Sequence, residues 1–178
     1  MGTPAARLTL SALNEMSREA FTETLGGIFE HSPWVAEGAY ESRPFGTVKE
    51  LHEAMMRTTR EAGEEHILSL LRAHPDLATR LQVTPLSAAE QKGAGLDRLT
   101  PEEFAVLTDL NVRYTEKYLF PFILAVRGKN KDDIIASISK RVNGTKETEW
   151  ERAIAEIGKI TKFRLEDLFG TNDGLRET

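Results

Sequence analysis

The sequence predicts an all-α fold, a compact single-domain helical bundle of about eight helices. Three observations carry that prediction. Apolar residues recur at helical spacing along most of the chain, helix start signals are frequent, and no run alternates with the period of two that a half-buried strand needs. The start signals place Ser or Thr three residues before Glu, at Thr47 and Glu50, Ser87 and Glu90, and Thr100 and Glu103. In this capping-box pattern the hydroxyl and the carboxylate each take up a backbone N–H that the first helical turn leaves over.

The elements follow in order. A first helix is expected over about 14–29, stopping near Gly26-Gly27, and a second over 33–40, with Pro33 after Ser32 where a missing N–H costs nothing. Thr47 opens a helix to about 61, and the next, 63–73, carries Ile67, Leu68, Leu70 and Leu71. Ser87 opens a short helix to 94, ended by Gly93-Ala94-Gly95. Thr100-Pro101 opens 101–119, a helix over 131–142 stops at Asn143-Gly144, and 146–168 closes the fold. Phe120 to Val126 is the one apolar run that resembles a strand. Pro121 breaks the preceding helix and a lone strand has nothing to pair with, so an extended buried connection is expected there. The domain is read as residues 1–178, with a core over about 10–169 and frayed ends.

Composition narrows the chemistry. The 178 residues include no cysteine, which removes disulfides, thiolate metal sites, iron–sulfur clusters and thiol nucleophiles. A net charge of −5 argues against broad nucleic-acid binding, which needs a basic face. No stretch approaches the apolar length of a membrane span, and Met1 to Leu10 lacks a signal-peptide core. The ending Arg176-Glu177-Thr178 is not a peroxisomal address, so a cytoplasmic location is expected. His31, His52, His66 and His74 show no paired metal-ligand spacing, and neither a phosphate loop nor a G-x-S-x-G elbow occurs. Catalysis, if present, rests on histidine, carboxylate and arginine, with no metal and no cofactor.

Four features are candidates. His74 sits at the end of an apolar helix, and Pro75 pushes it out of the α region. It either caps helix-terminal carbonyls or is an imidazole held for proton transfer. Ser87 and Glu90 are explained by the capping box alone. A helix start nevertheless also points N–H groups at a neighbouring anion, and Gln91 adds a donor–acceptor amide. Arg164 lies four residues after Ile160 and four before Leu168, inside the apolar stripe of Trp150, Ile154, Ile157, Ile160 and Leu168. A guanidinium there snorkels outward, pairs with an acidic side chain, or holds a bound carboxylate. The run Phe120 to Arg127 is either plain core or a backbone lining for a flat heterocycle.

These residues, in this order, resemble the 2-oxo-4-hydroxy-4-carboxy-5-ureidoimidazoline (OHCU) decarboxylase family over about 10–169. The likeness runs through Phe29 to Ala36, Ala73 to Leu77, Leu86 to Gln91, Asn111 to Tyr118, Phe120 to Ile123, Val126 to Lys129, and Glu156 to Leu165. It implies an all-helical homodimer, with neither metal nor organic cofactor, that makes (S)-allantoin and CO2 in urate breakdown. It implies His74 as the catalytic histidine, with Glu90, Arg164 and Ser87 as polar site residues. Pro75, Gln91 and Phe122, Ile123, Leu124, Ala125 and Val126 match ligand-lining positions. The expected partner is a small ureidoimidazoline substrate, with no nucleic acid and no membrane. Two other readings stay open from the residues alone: a non-enzymatic helical interaction module, and a different ureide or imidazoline lyase or hydrolase.

Overall fold

A computed structural model describes residues 8–78 and 83–170. Among them are nine α-helices, two short 3-10 turns and no strand. The helices are α1 (Leu10–Asn14), α2 (Arg18–Leu25), α3 (Pro33–Ala39), α4 (Val48–Glu61), α5 (Glu64–Ala73), α6 (Pro85–Gly93), α7 (Pro101–Tyr118), α8 (Lys131–Arg141) and α9 (Lys146–Phe169). The all-α expectation holds. The chain groups into two compact units, whose boundaries fall inside α5 and α9. One runs through Ile67 and resumes at Thr161; the other is Leu68–Ile160.

In the first unit α3 packs against α2 and α4. Leu13, Phe21, Leu25, Val35, Leu51 and Met55 are fully enclosed, joined by Leu165 and Phe169 from the end of α9. The Phe21 ring stacks on Phe45 and meets Tyr40 edge-on. Gly38 permits the close approach of α3 to α4, because a Cβ there would run into the methyl of Thr58.

The helix expected over 14–29 is shorter, α2 running from Arg18 to Leu25, and Asn14 belongs to the separate helix α1. Ser17 caps α2 by accepting from the Ala20 N–H at 3.1 Å. Asn14 ends α1 and binds a distant stretch of backbone, its amide donating to the Phe45 carbonyl and its oxygen accepting from the Phe45 N–H. These side-chain bonds to backbone compete with the helical ladder and win. Helix α1, capped by Thr9, occupies part of the stretch expected to fray, whose first seven residues lie outside the described ones. Ser32 does not cap α3; its hydroxyl donates to the Glu30 carbonyl at 2.8 Å.

In the second unit α7 packs against α8. Tyr114, Tyr118, Phe120 and Phe122 form an enclosed aromatic cluster, and Ile134, Ile138, Ile154 and Ile157 are buried in the same unit. The capping boxes at Thr100 and Glu103 and at Asn130 and Asp133 are complete. Lys131 Nζ lies 2.8 Å from Glu103, and this bond is the main cause holding the Glu103 carboxyl below its ordinary pKa. Phe120 to Val126 is buried and belongs to no helix or strand, as the proline and the missing strand partner predict.

The expected box at Ser87 and Glu90 is absent. Helix α6 starts two residues earlier, with Pro85 in the first turn and Thr84 as the cap, accepting from the Ser87 N–H at 3.3 Å. Two start signals overlap here, and the Thr-Pro pair prevails because proline's fixed φ suits the first helical position. Ser87 is thus inside the first turn and Glu90 is mid-helix, so the capping box does not account for either.

Candidate active site

The histidine is built from the end of α5. Pro75 stops the helix, and His74 leaves it with its N–H still bound to the Leu71 carbonyl at 3.2 Å. The side chain is buried, and Nδ1 lies 2.9 Å from the Leu70 carbonyl oxygen. A carbonyl only accepts, so this bond places a proton on Nδ1 and makes Nε2 the basic nitrogen of the neutral ring. The capping alternative therefore describes the geometry, and the same bond fixes the orientation of the imidazole.

The turn that follows is braced from two helices. The Leu77 carbonyl accepts from Asn111 Nδ2 on α7 at 3.0 Å. Ala78 sits at φ +63°, the left-handed region, and its N–H donates to Gln91 Oε1 on α6 at 2.9 Å. A bound side-chain amide offsets part of the strain of a non-glycine residue at that φ. Arg72 Nε donates to the Leu119 carbonyl at 3.0 Å, tying the last turn of α5 to the end of α7. Asp76 keeps an exposed edge, yet enough protein surrounds its carboxyl to raise its pKa by desolvation.

Gln91 thus joins the His74 turn to the helix carrying Ser87 and Glu90. Ser87 is buried, while Glu90 and Gln91 are half-buried on α6. Phe122, Ile123, Leu124, Ala125 and Val126 are all buried in the same unit. Pro75 is half-buried beside His74.

Arg164 belongs to the other unit. It is 4% exposed, Nη1 donates to the Ile28 carbonyl at 3.1 Å, and Nη2 pairs with Glu30 Oε1 at 3.0 Å. Of the three readings of this charge in an apolar stripe, snorkelling is excluded and pairing with an acidic side chain is observed. A buried pair of this kind holds the guanidinium in one orientation.

Sequence reasoning missed four buried polar residues of the second unit: Asn111, Arg141, Glu149 and Glu156. Arg141 Nε pairs with Glu149 Oε1 at 2.8 Å, Arg141 Nη1 donates to the Ile123 carbonyl at 2.8 Å, and Glu156 Oε1 accepts from the Ala125 N–H at 3.2 Å. The Tyr114 hydroxyl donates to Glu149 at 2.6 Å. Burial first, and the Glu149 bond second, push that phenol well above its ordinary pKa. One signal was readable. Arg141 follows Ile134 and Ile138 at spacings of seven and three, inside an apolar stripe, as Arg164 does. Among the described residues no cluster of three or more His, Asp or Glu could hold a metal ion, and no helix is long and apolar enough to cross a membrane.

The model of the family described as OHCU decarboxylase matches residues 14–166. A 2-oxo-4-hydroxy-4-carboxy-5-ureidoimidazoline decarboxylase of Haloferax volcanii is 43% identical over 164 residues, 92% of this chain and 98% of that protein. The uric acid degradation bifunctional protein of a Bacillus species is 41% identical over 170 residues, 94% of this chain and 34% of its own length. The solved structure of an (S)-allantoin synthase is 31% identical with a TM-score of 0.75, over 90% of this chain and 54% of that one. An OHCU decarboxylase solved in the presence of (S)-allantoin is similar in fold, with a TM-score of 0.67 at 24% identity over 86% of this chain and 99% of that one.

Proposed function

The chain belongs to the OHCU decarboxylase family, and we propose that His74 is the residue through which it returns a proton to the decarboxylated ring. The reaction is decarboxylation of 2-oxo-4-hydroxy-4-carboxy-5-ureidoimidazoline to (S)-allantoin and CO2, a step of urate degradation. The observation that carries the assignment is the fixed imidazole, buried and oriented by the Leu70 carbonyl on a turn braced by Asn111 and Gln91.

The substrate supplies its own electron sink. The carbon that loses CO2 also carries a hydroxyl and adjoins a C=N bond. When the C–C bond breaks, its electron pair forms a double bond to the neighbouring ring carbon and the C=N pair withdraws onto nitrogen, which takes up a proton. The resulting enol then releases its hydroxyl proton and becomes a carbonyl as the former C=N carbon is protonated. The protein is then required only to orient, polarise and protonate. His74 is assigned the proton transfer, delivered to one face so that a single enantiomer forms. Glu90 holds the hydroxyl or the ring and ureido N–H groups. Ser87 orients the anionic or carbonyl end, and Arg164, its guanidinium kept in place by the pair with Glu30, is proposed as an anion-binding residue. Pro75, Gln91 and the backbone of Phe122 to Val126 fix the plane of the ring.

A cytoplasmic homodimer completes the proposal. Sedimentation equilibrium tests the oligomeric state. The activity test mixes freshly made substrate with protein and follows the optical activity of the allantoin. A symmetric environment protonates both faces equally, so uncatalysed decay yields racemate. Formation of one enantiomer supports the reading, and a racemate at the spontaneous rate rejects it.

A further inference from the structure

The segment Phe120 to Val126 is buried, yet it has no sheet partner to take up its backbone polar groups. Buried peptide groups left over cost free energy, so something must stand in for the ladder. Two side chains do so on adjacent peptide units. Arg141 Nη1 donates to the Ile123 carbonyl at 2.8 Å, and the Ala125 N–H donates to Glu156 Oε1 at 3.2 Å. The first group belongs to the peptide preceding Leu124 and the second to the peptide following it. The orientation of both planes flanking Leu124 is therefore set from α8 and α9.

Both anchors are themselves held. Glu156 is 1% exposed and its second oxygen lies 2.7 Å from Lys159 Nζ. Arg141 is gripped by Glu149, and its guanidinium lies over the Phe122 ring at 4.5 Å. The bonds that satisfy the buried backbone thereby also fix the two peptide planes that a flat ligand lying on this segment would meet.

We propose that Glu156 and Arg141 are positioning residues that orient the Ile123–Ala125 peptides for ligand binding. The inference rests on the reading of Phe122 to Val126 as the ring-binding segment. They act on substrate affinity and presentation through the backbone, and neither transfers a proton in the reaction.

The test compares Glu156→Gln with Glu156→Ala. Glutamine keeps an oxygen that accepts from the Ala125 N–H and gives up the charge facing Lys159; alanine removes both. With the circular dichroism of the folded protein retained, Glu156→Ala is expected to raise KM for freshly made substrate and Kd for allantoin at least about tenfold. Glu156→Gln is expected to stay within about threefold of wild type on both. Should the alanine variant not fold, Glu156→Asp carries the same expectation, since it keeps the charge but withdraws the oxygen by one methylene. An alanine or aspartate variant that binds like wild type overturns the proposal. So does a glutamine variant as impaired as alanine, because the charge would then matter and not the acceptor. If wild type itself forms racemic allantoin, the decarboxylase reading fails instead. One enantiomer from wild type with unchanged affinity in Glu156→Ala removes only the positioning role.

Discussion

His74 Nδ1 lies 2.9 Å from the carbonyl oxygen of Leu70, one helical turn behind it in the same chain. The bond fixes the ring plane and its tautomer together. Asparagine at this position can keep a donor toward Leu70 but offers no basic nitrogen. His74→Asn is expected to lower the catalysed rate by about 100-fold to 10,000-fold, while allantoin binding stays within about tenfold. Stopped-flow absorbance and calorimetric titration check the two parts separately.

Asn111 holds the turn after His74 through the Leu77 carbonyl. Asn111→Leu keeps the volume and deletes the donor, leaving a buried carbonyl without its partner. The expected loss is about 1–3 kcal/mol of stability, read from urea unfolding. A fall in kcat on the folded protein accompanies it, because the turn that aims His74 loosens.

The corrected start of α6 is testable on its own. Thr84 is the cap, so Thr84→Ala is expected to cost about 0.5–2 kcal/mol. Ser87 gives that cap its backbone N–H, so Ser87→Ala leaves the cap intact. Its effect is expected in KM for substrate, with little change in the cap's stability. Paired urea midpoints and KM values separate the two residues.

The buried trio of Arg141, Glu149 and Tyr114 predicts a pH effect. The folded Tyr114 phenol is raised above its unfolded value, mainly by desolvation. A raised pKa contributes stability that is fully present below the unfolded value and is lost as pH rises toward the folded one. Unfolding free energy is therefore expected to fall as pH climbs past about 10, and Tyr114→Phe flattens that fall. Glu149→Leu, which strands the Arg141 charge, is expected to cost about 3–5 kcal/mol, measured by urea unfolding at neutral pH.

Most helices were legible because their ends carry local chemistry. Thr47 and Thr100 cap the helices they announce, and Pro121 and the missing strand partner predicted the irregular buried run. Where two local signals overlap, as at Thr84-Pro85 and Ser87, the sequence does not rank them. The break between α1 and α2 depends on Asn14 reaching Phe45, 31 residues away, which no local pattern encodes. The site divides in the same way. His74 was visible because Pro75 follows it, and Arg164 because a charge interrupts an apolar stripe. Asn111 and Glu156 were not, because their meaning lies in backbone groups 34 and 31 residues distant.

Handedness of the product tests the role of His74 most directly. Freshly made substrate is given to wild type and to His74→Asn, and the circular dichroism of the allantoin is followed with time. With His74 as the residue that protonates one face, wild type gives (S)-allantoin and the variant gives racemate at the spontaneous rate. Optically active allantoin from His74→Asn at near wild-type rate would contradict that role.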